Sequence, residues 1–148
     1  MLTVGDAAPD FSLPSHDGSI VQLRDLRGSR VLIWFFVEAD TPGCRDEGCG
    51  FRDHQEYLDE GGIQLLGVSF DPVERNAAFA AKYGFAFPLL SDLDHSVALA
   101  YGACDSLSAH QPSRLSLLVD AEGVVERVYE QVDPRDHAAR VLADILDL

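Results

Sequence analysis

Two cysteines five residues apart are the side chains of this sequence best suited to carry chemistry. Cys44 and Cys49 lie in the segment 41–50, directly after the apolar run 31–37. The pattern predicts a buried strand, a tight turn, and then a helix whose first turn carries Cys44. Free N–H groups and the positive end of the helix macrodipole favour a thiolate at such a position. A thiolate is a nucleophile, so the sequence predicts nucleophilic or redox chemistry at Cys44.

The residues before Cys44 fit this interpretation. Pro42 and Gly43 let the backbone fold tightly against the sulfur, so that N–H groups can point toward it. Thr41 places a hydroxyl group one turn away, where it is able to donate a hydrogen bond to a thiolate or to a bound oxygen.

The spacing of the two cysteines restricts how they can react with each other. Two Cα atoms at positions i and i+5 of an intact helix lie roughly 8–9 Å apart, and a disulfide tolerates at most about 7 Å. If Cys44 and Cys49 form a bond, the first turns of the helix must unwind. Gly48 and Gly50 flank Cys49, and each costs a helix about 1 kcal/mol relative to Ala. This local weakness is typical of a helix that unwinds.

Other interpretations of the pair remain open at this point. Free cysteines are often small buried hydrophobic residues. A zinc site is disfavoured, because Cys44, Cys49 and His54 step by five residues and spread around the helix instead of converging. The C-x-x-C motif of dithiol oxidoreductases is absent from the sequence.

The elements that position these residues follow from hydrophobic patterning and from turn residues. We predict strands over 11–13, 20–23, 31–37, 63–70, 87–90, 115–119 and 124–129, and helices over 43–60, 72–83, 96–101 and 136–146. Asp71 is the expected N-cap of the second helix, with Pro72 at its first position. Strand–helix–strand units imply parallel neighbours, and the late hairpin adds antiparallel ones. The prediction is an α/β fold with a central mixed sheet, helices on both faces and an N-terminal β-hairpin.

Length and composition exclude several classes of function. The 148 residues suit a single domain over 1–148. The net charge of −14 disfavours nucleic acid and anionic membranes as partners. No run approaches the ~20 apolar residues of a membrane helix, and the N-terminus lacks the pattern of a signal peptide. We therefore expect a cytoplasmic protein, in a compartment that disfavours permanent disulfides.

Seven segments, in order along nearly the whole chain, resemble the peroxiredoxins, and most closely the bacterioferritin comigratory protein or peroxiredoxin Q type. The segments are Ala8-Pro9-Asp10-Phe11, Asp25-Leu26-Arg27-Gly28, Thr41-Pro42-Gly43-Cys44 with Cys49, Gly50-Phe51-Arg52-Asp53, Phe87-Pro88-Leu89-Leu90-Ser91-Asp92, Ala100-Tyr101-Gly102, and Arg114-x-Ser116-Leu117-Leu118-Val119-Asp120. The resemblance implies a thioredoxin-like fold and the reduction of hydrogen peroxide and organic hydroperoxides. It implies no metal, flavin or haem.

The resemblance also implies a role for each of five residues. Cys44 matches the peroxidatic cysteine, whose thiolate attacks the peroxide O–O bond and becomes a sulfenic acid. Cys49 matches the resolving cysteine of members that form an intrahelical disulfide. Thr41 matches a threonine that hydrogen-bonds the sulfur and the peroxide. Arg114 matches the arginine that stabilises the thiolate and the developing oxygen charge, and Glu47 matches a glutamate that orients this arginine.

Two positions depart from the family pattern Pro-x-x-x-Thr-x-x-Cys. Val37 stands where a proline is expected; that proline shields the sulfur from water, and valine keeps its apolar character without its rigidity. Arg45 stands where threonine or serine is usual. Its cation either favours the Cys44 thiolate or points to solvent.

The expected partners are a hydroperoxide substrate and thioredoxin or a similar dithiol reductant, with the chain acting as a monomer or a weak homodimer. Two alternatives use the same cysteine pair. One is a thiol–disulfide oxidoreductase, and the other is a redox sensor that unwinds its helix on oxidation. Cys104 is expected to be a packed free cysteine, with an alternative role as the resolving thiol.

Overall fold

The computed structural model describes residues 2–130, 133 and 135–146. The strands are β1 (Ser12–Pro14), β2 (Ile20–Gln22), β3 (Arg30–Phe35), β4 (Ile63–Ser69), β5 (Leu89–Ser91), β6 (Leu115–Val119) and β7 (Val125–Glu130). The α-helices are α1 (Pro42–Asp53), α2 (Gln55–Glu60), α3 (Val73–Tyr83), α4 (Ser96–Tyr101) and α5 (His137–Leu146), and a short 3-10 helix spans Leu23–Leu26.

Five strands form the central sheet in the order β5-β4-β3-β6-β7, and β1 and β2 form a separate antiparallel hairpin. β3 and β5 both run parallel to β4, whereas β6 is antiparallel to β3 and to β7. The predicted mixed sheet and N-terminal hairpin are confirmed. The site-bearing strand β3 is central in this order, so it is covered on both sides by other strands.

Alternate residues of β3 belong to two hydrophobic clusters, one on each face of the sheet. Leu32 and Trp34 pack with residues of α1, α2, α3 and α5, and this cluster includes Cys44. Val31 and Ile33 pack with the hairpin and with α4. The helices therefore lie on both faces, as predicted, and α1 shares its face with α3 and α5.

Two local predictions were wrong. The helix expected over 43–60 is interrupted at His54, whose N–H bonds the Phe51 carbonyl while its ring Nδ1 lies 2.8 Å from the Gly50 oxygen. Asp71 does not cap α3, because its carboxylate accepts hydrogen bonds from Ala39 N–H and Ser69 Oγ, both at 2.8 Å. Pro72 takes the N-cap position instead.

No helix within the described residues is both long enough and apolar enough to cross a membrane.

Candidate active site

The loop between β3 and α1 delivers Cys44 to the first turn of α1. Thr41 is the N-cap with extended backbone, Pro42 is the first helical residue, and the Thr41 carbonyl accepts the Arg45 N–H at 2.8 Å. Cys44 is 0% exposed. The predicted strand, turn and helix are therefore confirmed around this residue, and its sulfur lies in the water-poor environment that strengthens nearby electrostatic interactions.

Two N–H groups from outside the helix reach the Cys44 sulfur. The backbone N–H of Val37 donates to Sγ at an N···S distance of 3.3 Å. Nη1 of Arg114, the residue just before β6, lies 3.6 Å from the same sulfur. Both donors favour a negatively charged sulfur, and the guanidinium adds a full positive charge.

Glu47 lies one turn after Cys44 on α1 and forms an ion pair with Arg114. The Glu47 side chain is 1% exposed and the Arg114 side chain 26% exposed. Burial raises the pKa of Glu47 to about 7, although Arg114 opposes this rise. The Trp34 indole N–H also lowers this pKa, yet no hydrogen bond of standard geometry joins it to the carboxyl. The carboxylate fixes the guanidinium beside the sulfur.

Gly43 makes room for this guanidinium. A Cβ atom built at position 43 would overlap Nη2 of Arg114. Any other residue at this position would therefore displace the cation from Cys44. Sequence reasoning assigned Gly43 to backbone tightness alone, and the contact with a residue 71 positions later could not be read from the local pattern.

The sequence predicts that the Thr41 hydroxyl donates to the Cys44 thiolate or to a bound oxygen, but in the structure it donates elsewhere. Its Oγ1 donates to the carbonyl oxygen of Glu38 at 2.8 Å. With its hydrogen engaged in this way, Oγ1 keeps lone pairs that are able to accept a hydrogen bond from the O–H of a hydroperoxide.

The other two cysteines differ from Cys44 in their surroundings. All three are free thiols. Cys49 lies on the same helix, is partly buried against the cluster that contains Cys44, and has a pKa raised by burial. Cys104 is 9% exposed, also has a pKa raised by burial, and packs in the cluster on the opposite face of the sheet. The fold therefore brings Cys44 together with Cys49 and not with Cys104.

The glycines beside Cys49 have packing roles that the sequence did not reveal. A Cβ at Gly48 would lie 2.6 Å from Cζ of Phe85 and 3.1 Å from Cη2 of Trp34. A Cβ at Gly50 would lie 2.7 Å from the Cβ of Ala138 on α5. Both glycines weaken the helix, and both also allow α1 to approach its neighbours closely.

A polar cluster at the end of α3 holds both ends of α1, and sequence reasoning missed it. The Tyr83 hydroxyl donates to Asp40 at 2.8 Å, and Lys82 Nζ lies 2.9 Å from the same carboxylate. These interactions lower the pKa of Asp40. The Tyr83 carbonyl accepts from Arg52 Nη1 at 2.7 Å. The exposed Arg45 side chain lies next to Tyr83, whose hydroxyl raises the pKa of Arg45.

An open cavity of about 360 Å³ is lined in part by Val37, whose N–H donates to the Cys44 sulfur. Its other lining residues are Glu38, Phe70, Asp71, Pro72, Arg75, His110 and Gln111. The polar loop before Arg114 contributes His110 and Gln111 to this lining. Val37 therefore lies between this cavity and the fully buried Cys44.

Known proteins are similar to this chain in sequence and in fold over nearly its whole length. The model of the AhpC/TSA family matches residues 4–128. Peroxiredoxin Bcp of Escherichia coli strain K12 is 40% identical over 146 residues, covering 95% of this chain and 94% of the relative. The structure of peroxidoxin BcpB from Mycobacterium tuberculosis has a TM-score of 0.91 at 32% identity, covering 100% of this chain and 99% of that one. The Xanthomonas campestris bacterioferritin comigratory protein, described for its alkyl peroxide reduction activity, has a TM-score of 0.88 at 32% identity, with coverage of 98% and 96%. These similarities confirm the expected thioredoxin-like fold.

Proposed function

Because the chain belongs to the AhpC/TSA family and is a thiol peroxidase of the bacterioferritin comigratory protein type, we propose that it reduces hydroperoxides through Cys44 and Cys49. Cys44 is the peroxidatic residue, Cys49 is the resolving residue, and a dithiol such as thioredoxin returns both to the thiol form. The observation that carries this proposal is the convergence of Arg114 and a backbone N–H on the buried Cys44 sulfur.

The first step is the attack of the Cys44 thiolate on the nearer oxygen of the hydroperoxide. An S–O bond forms and the O–O bond breaks, so the sulfur becomes a sulfenic acid and the departing oxygen takes up a proton to leave as water or an alcohol. Arg114, held by Glu47, stabilises the negative charge that moves from sulfur to the departing oxygen. Thr41 Oγ1 orients the hydrogen peroxide or small organic hydroperoxide by accepting its O–H.

The second step is attack by Cys49 on the Cys44 sulfenic acid, which gives a disulfide and releases water. The two residues are five positions apart on α1, and an intact helix keeps their Cα atoms roughly 8–9 Å apart. The first turns of α1 must therefore unwind before the bond forms. Partial burial raises the pKa of the Cys49 thiol, so opening of the helix increases the fraction of nucleophilic thiolate at this residue.

An external dithiol then reduces the disulfide by thiol–disulfide exchange, taking the two oxidising equivalents from the protein. Thioredoxin or a similar protein fits this role. The proposal also places the protein in the cytoplasm as a single domain acting as a monomer or weak homodimer. Three free cysteines, an odd number, support a compartment in which thiols stay reduced.

Mass spectrometry after one equivalent of peroxide tests both cysteine assignments together. The expected product is a disulfide between the peptides that contain Cys44 and Cys49. Cys44→Ser abolishes peroxide consumption. Cys49→Ser permits one oxidation and stops turnover with thioredoxin.

Cys104→Ser is the matched control, because this cysteine is buried on the opposite face of the sheet. It should turn over like the unmodified protein. Normal turnover of Cys49→Ser with thioredoxin would refute the assignment of Cys49 and point to Cys104 or an external thiol, and peroxide consumption by Cys44→Ser would refute the proposed function itself.

A further inference from the structure

The backbone at position 37 makes a contact that the expected family residue is unable to make. The Val37 N–H donates to the Cys44 sulfur at 3.3 Å. In the family pattern this position is a proline, and proline has no backbone N–H. Replacement of the proline by valine therefore changes more than the apolar cover of the sulfur, because it adds a hydrogen-bond donor next to the reacting atom.

We propose that the backbone N–H of Val37 is a catalytic hydrogen-bond donor that stabilises the thiolate of Cys44. This inference rests on the proposed function, in which Cys44 is the peroxidatic residue. It assigns to Val37, which stands where the family pattern has proline, a chemical role in addition to the shielding role of its side chain.

The end of β3 explains why this N–H is available to the sulfur. β3 ends at Phe35, and the N–H of Phe36 still donates to the Val68 carbonyl of β4 at 3.0 Å. Val37 is the next residue, at the point where the chain leaves the sheet, and its N–H turns to Cys44. A backbone N–H shielded from water needs an acceptor, and in this part-buried contact the sulfur is that acceptor.

The surroundings strengthen the contact. The Val37 side chain is partly buried and packs against the cluster that includes the fully buried Cys44. Because the acceptor sulfur is fully buried, water competes poorly for this contact. Arg114 reaches the sulfur through its side chain, so the two donors belong to different segments and can be removed separately.

The donor has opposite effects on the amount of thiolate and on its reactivity. A hydrogen bond to a charged group is strong enough to change the thiol–thiolate equilibrium by about tenfold, or about one pH unit in a titration. Stabilising the thiolate also lowers its nucleophilicity, with a Brønsted coefficient of about 0.4–0.5. Removing the donor should thus slow oxidation about threefold at low pH, where thiolate is scarce, and speed it about threefold at high pH, where all of the sulfur is ionised.

The test compares Val37→Pro, which removes the N–H, with Val37→Ala, which shortens the side chain and keeps the N–H. Both are made in a Cys49→Ser/Cys104→Ser background, so that Cys44 is the single cysteine left. Ultraviolet absorbance titrates its thiolate without peroxide, and stopped-flow kinetics then measures its oxidation by hydrogen peroxide across pH. We expect the Val37→Pro titration midpoint to rise by about one pH unit and its rate profile to cross that of the parent. Val37→Ala keeps the N–H, so its midpoint should shift by clearly less than that of Val37→Pro.

A backbone ester at position 37, introduced by incorporating the α-hydroxy analogue of valine, removes the N–H and keeps the side chain. If Val37→Pro fails to fold, the ester still tests whether the N–H stabilises the Cys44 thiolate. A titration midpoint and rate profile for the ester that match the parent would overturn the inference. A midpoint shift in Val37→Ala as large as that of the ester would also overturn it, by making the side chain responsible. Neither result touches the proposed function, which fails only if peroxide consumption does not depend on Cys44.

Discussion

Glu47→Gln tests the buried ion pair next to Cys44. Burial raises the pKa of Glu47 to about 7 from an ordinary value of 4.5. The folded protein therefore binds this proton more tightly than the unfolded chain does. The resulting stabilisation is fully present below pH 4.5 and is lost as the pH rises through about 7. At about 1.4 kcal/mol for each pH unit, the difference amounts to about 3 kcal/mol.

The free energy of unfolding in urea, measured on the reduced protein between about pH 4 and about pH 8.5, gives this quantity directly. Glutamine is neutral and of similar shape, so Glu47→Gln lacks the proton equilibrium. The unmodified protein should lose about 3 kcal/mol relative to the variant as the pH rises across this range. Subtracting the two curves removes the effects of other buried groups, among them His137, whose pKa burial lowers to about 4.

Asp46→Asn is the matched control, because Asp46 precedes Glu47 on α1 and is exposed. Its curve should run parallel to that of the unmodified protein. If the difference between the unmodified protein and Glu47→Gln stays constant with pH, then Glu47 has an ordinary pKa in the folded state, and the picture of a desolvated carboxyl beside Arg114 is wrong.

Three further substitutions test other parts of the site. Arg114→Ala should slow the oxidation of Cys44 by about 10²–10³-fold, the typical loss for a donor to a developing oxyanion; stopped-flow kinetics checks this, and a rate within threefold of normal contradicts the role of the arginine. Tyr83→Phe removes the hydroxyl that ties α3 to the loop before α1. We expect faster disulfide formation with an unchanged peroxide step, and equal rates of both steps in the variant and the parent would show that this contact does not restrain unwinding. Gly48→Ala places a Cβ 2.6 Å from Phe85. Overpacking of about 1–3 kcal/mol exceeds the helix-propensity gain of about 1 kcal/mol, so urea unfolding should show lower stability; a more stable variant would mean that Phe85 moves aside at little cost.

The order of elements was accessible from the sequence, because hydrophobic periodicity and turn residues are local signals. The buried run before Cys44 predicted β3, and Gly84 marked the end of α3, where the backbone is left-handed. Where local signals competed with long-range contacts, the prediction failed. Asp71 has the sequence signature of an N-cap, but Ala39 and Ser69 engage its carboxylate.

The sequence by itself determined which residues are candidates for the chemistry of the site. The position of Cys44 at a helix start and the spacing of Cys49 follow from residues adjacent along the chain, and the resemblance supplied Arg114 and Glu47 as candidates.

Only the tertiary structure decided how these groups meet. The antiparallel pairing of β6 with β3 brings Arg114 to the sulfur, Gly43 leaves space for its guanidinium, and the end of β3 turns the Val37 N–H to the same atom. Burial of Glu47 near Trp34 and Arg114 raises the pKa of a carboxyl group that looks ordinary in the sequence. Such effects depend on distance and desolvation between residues far apart in the chain, and these are properties of the packed fold that no local pattern encodes.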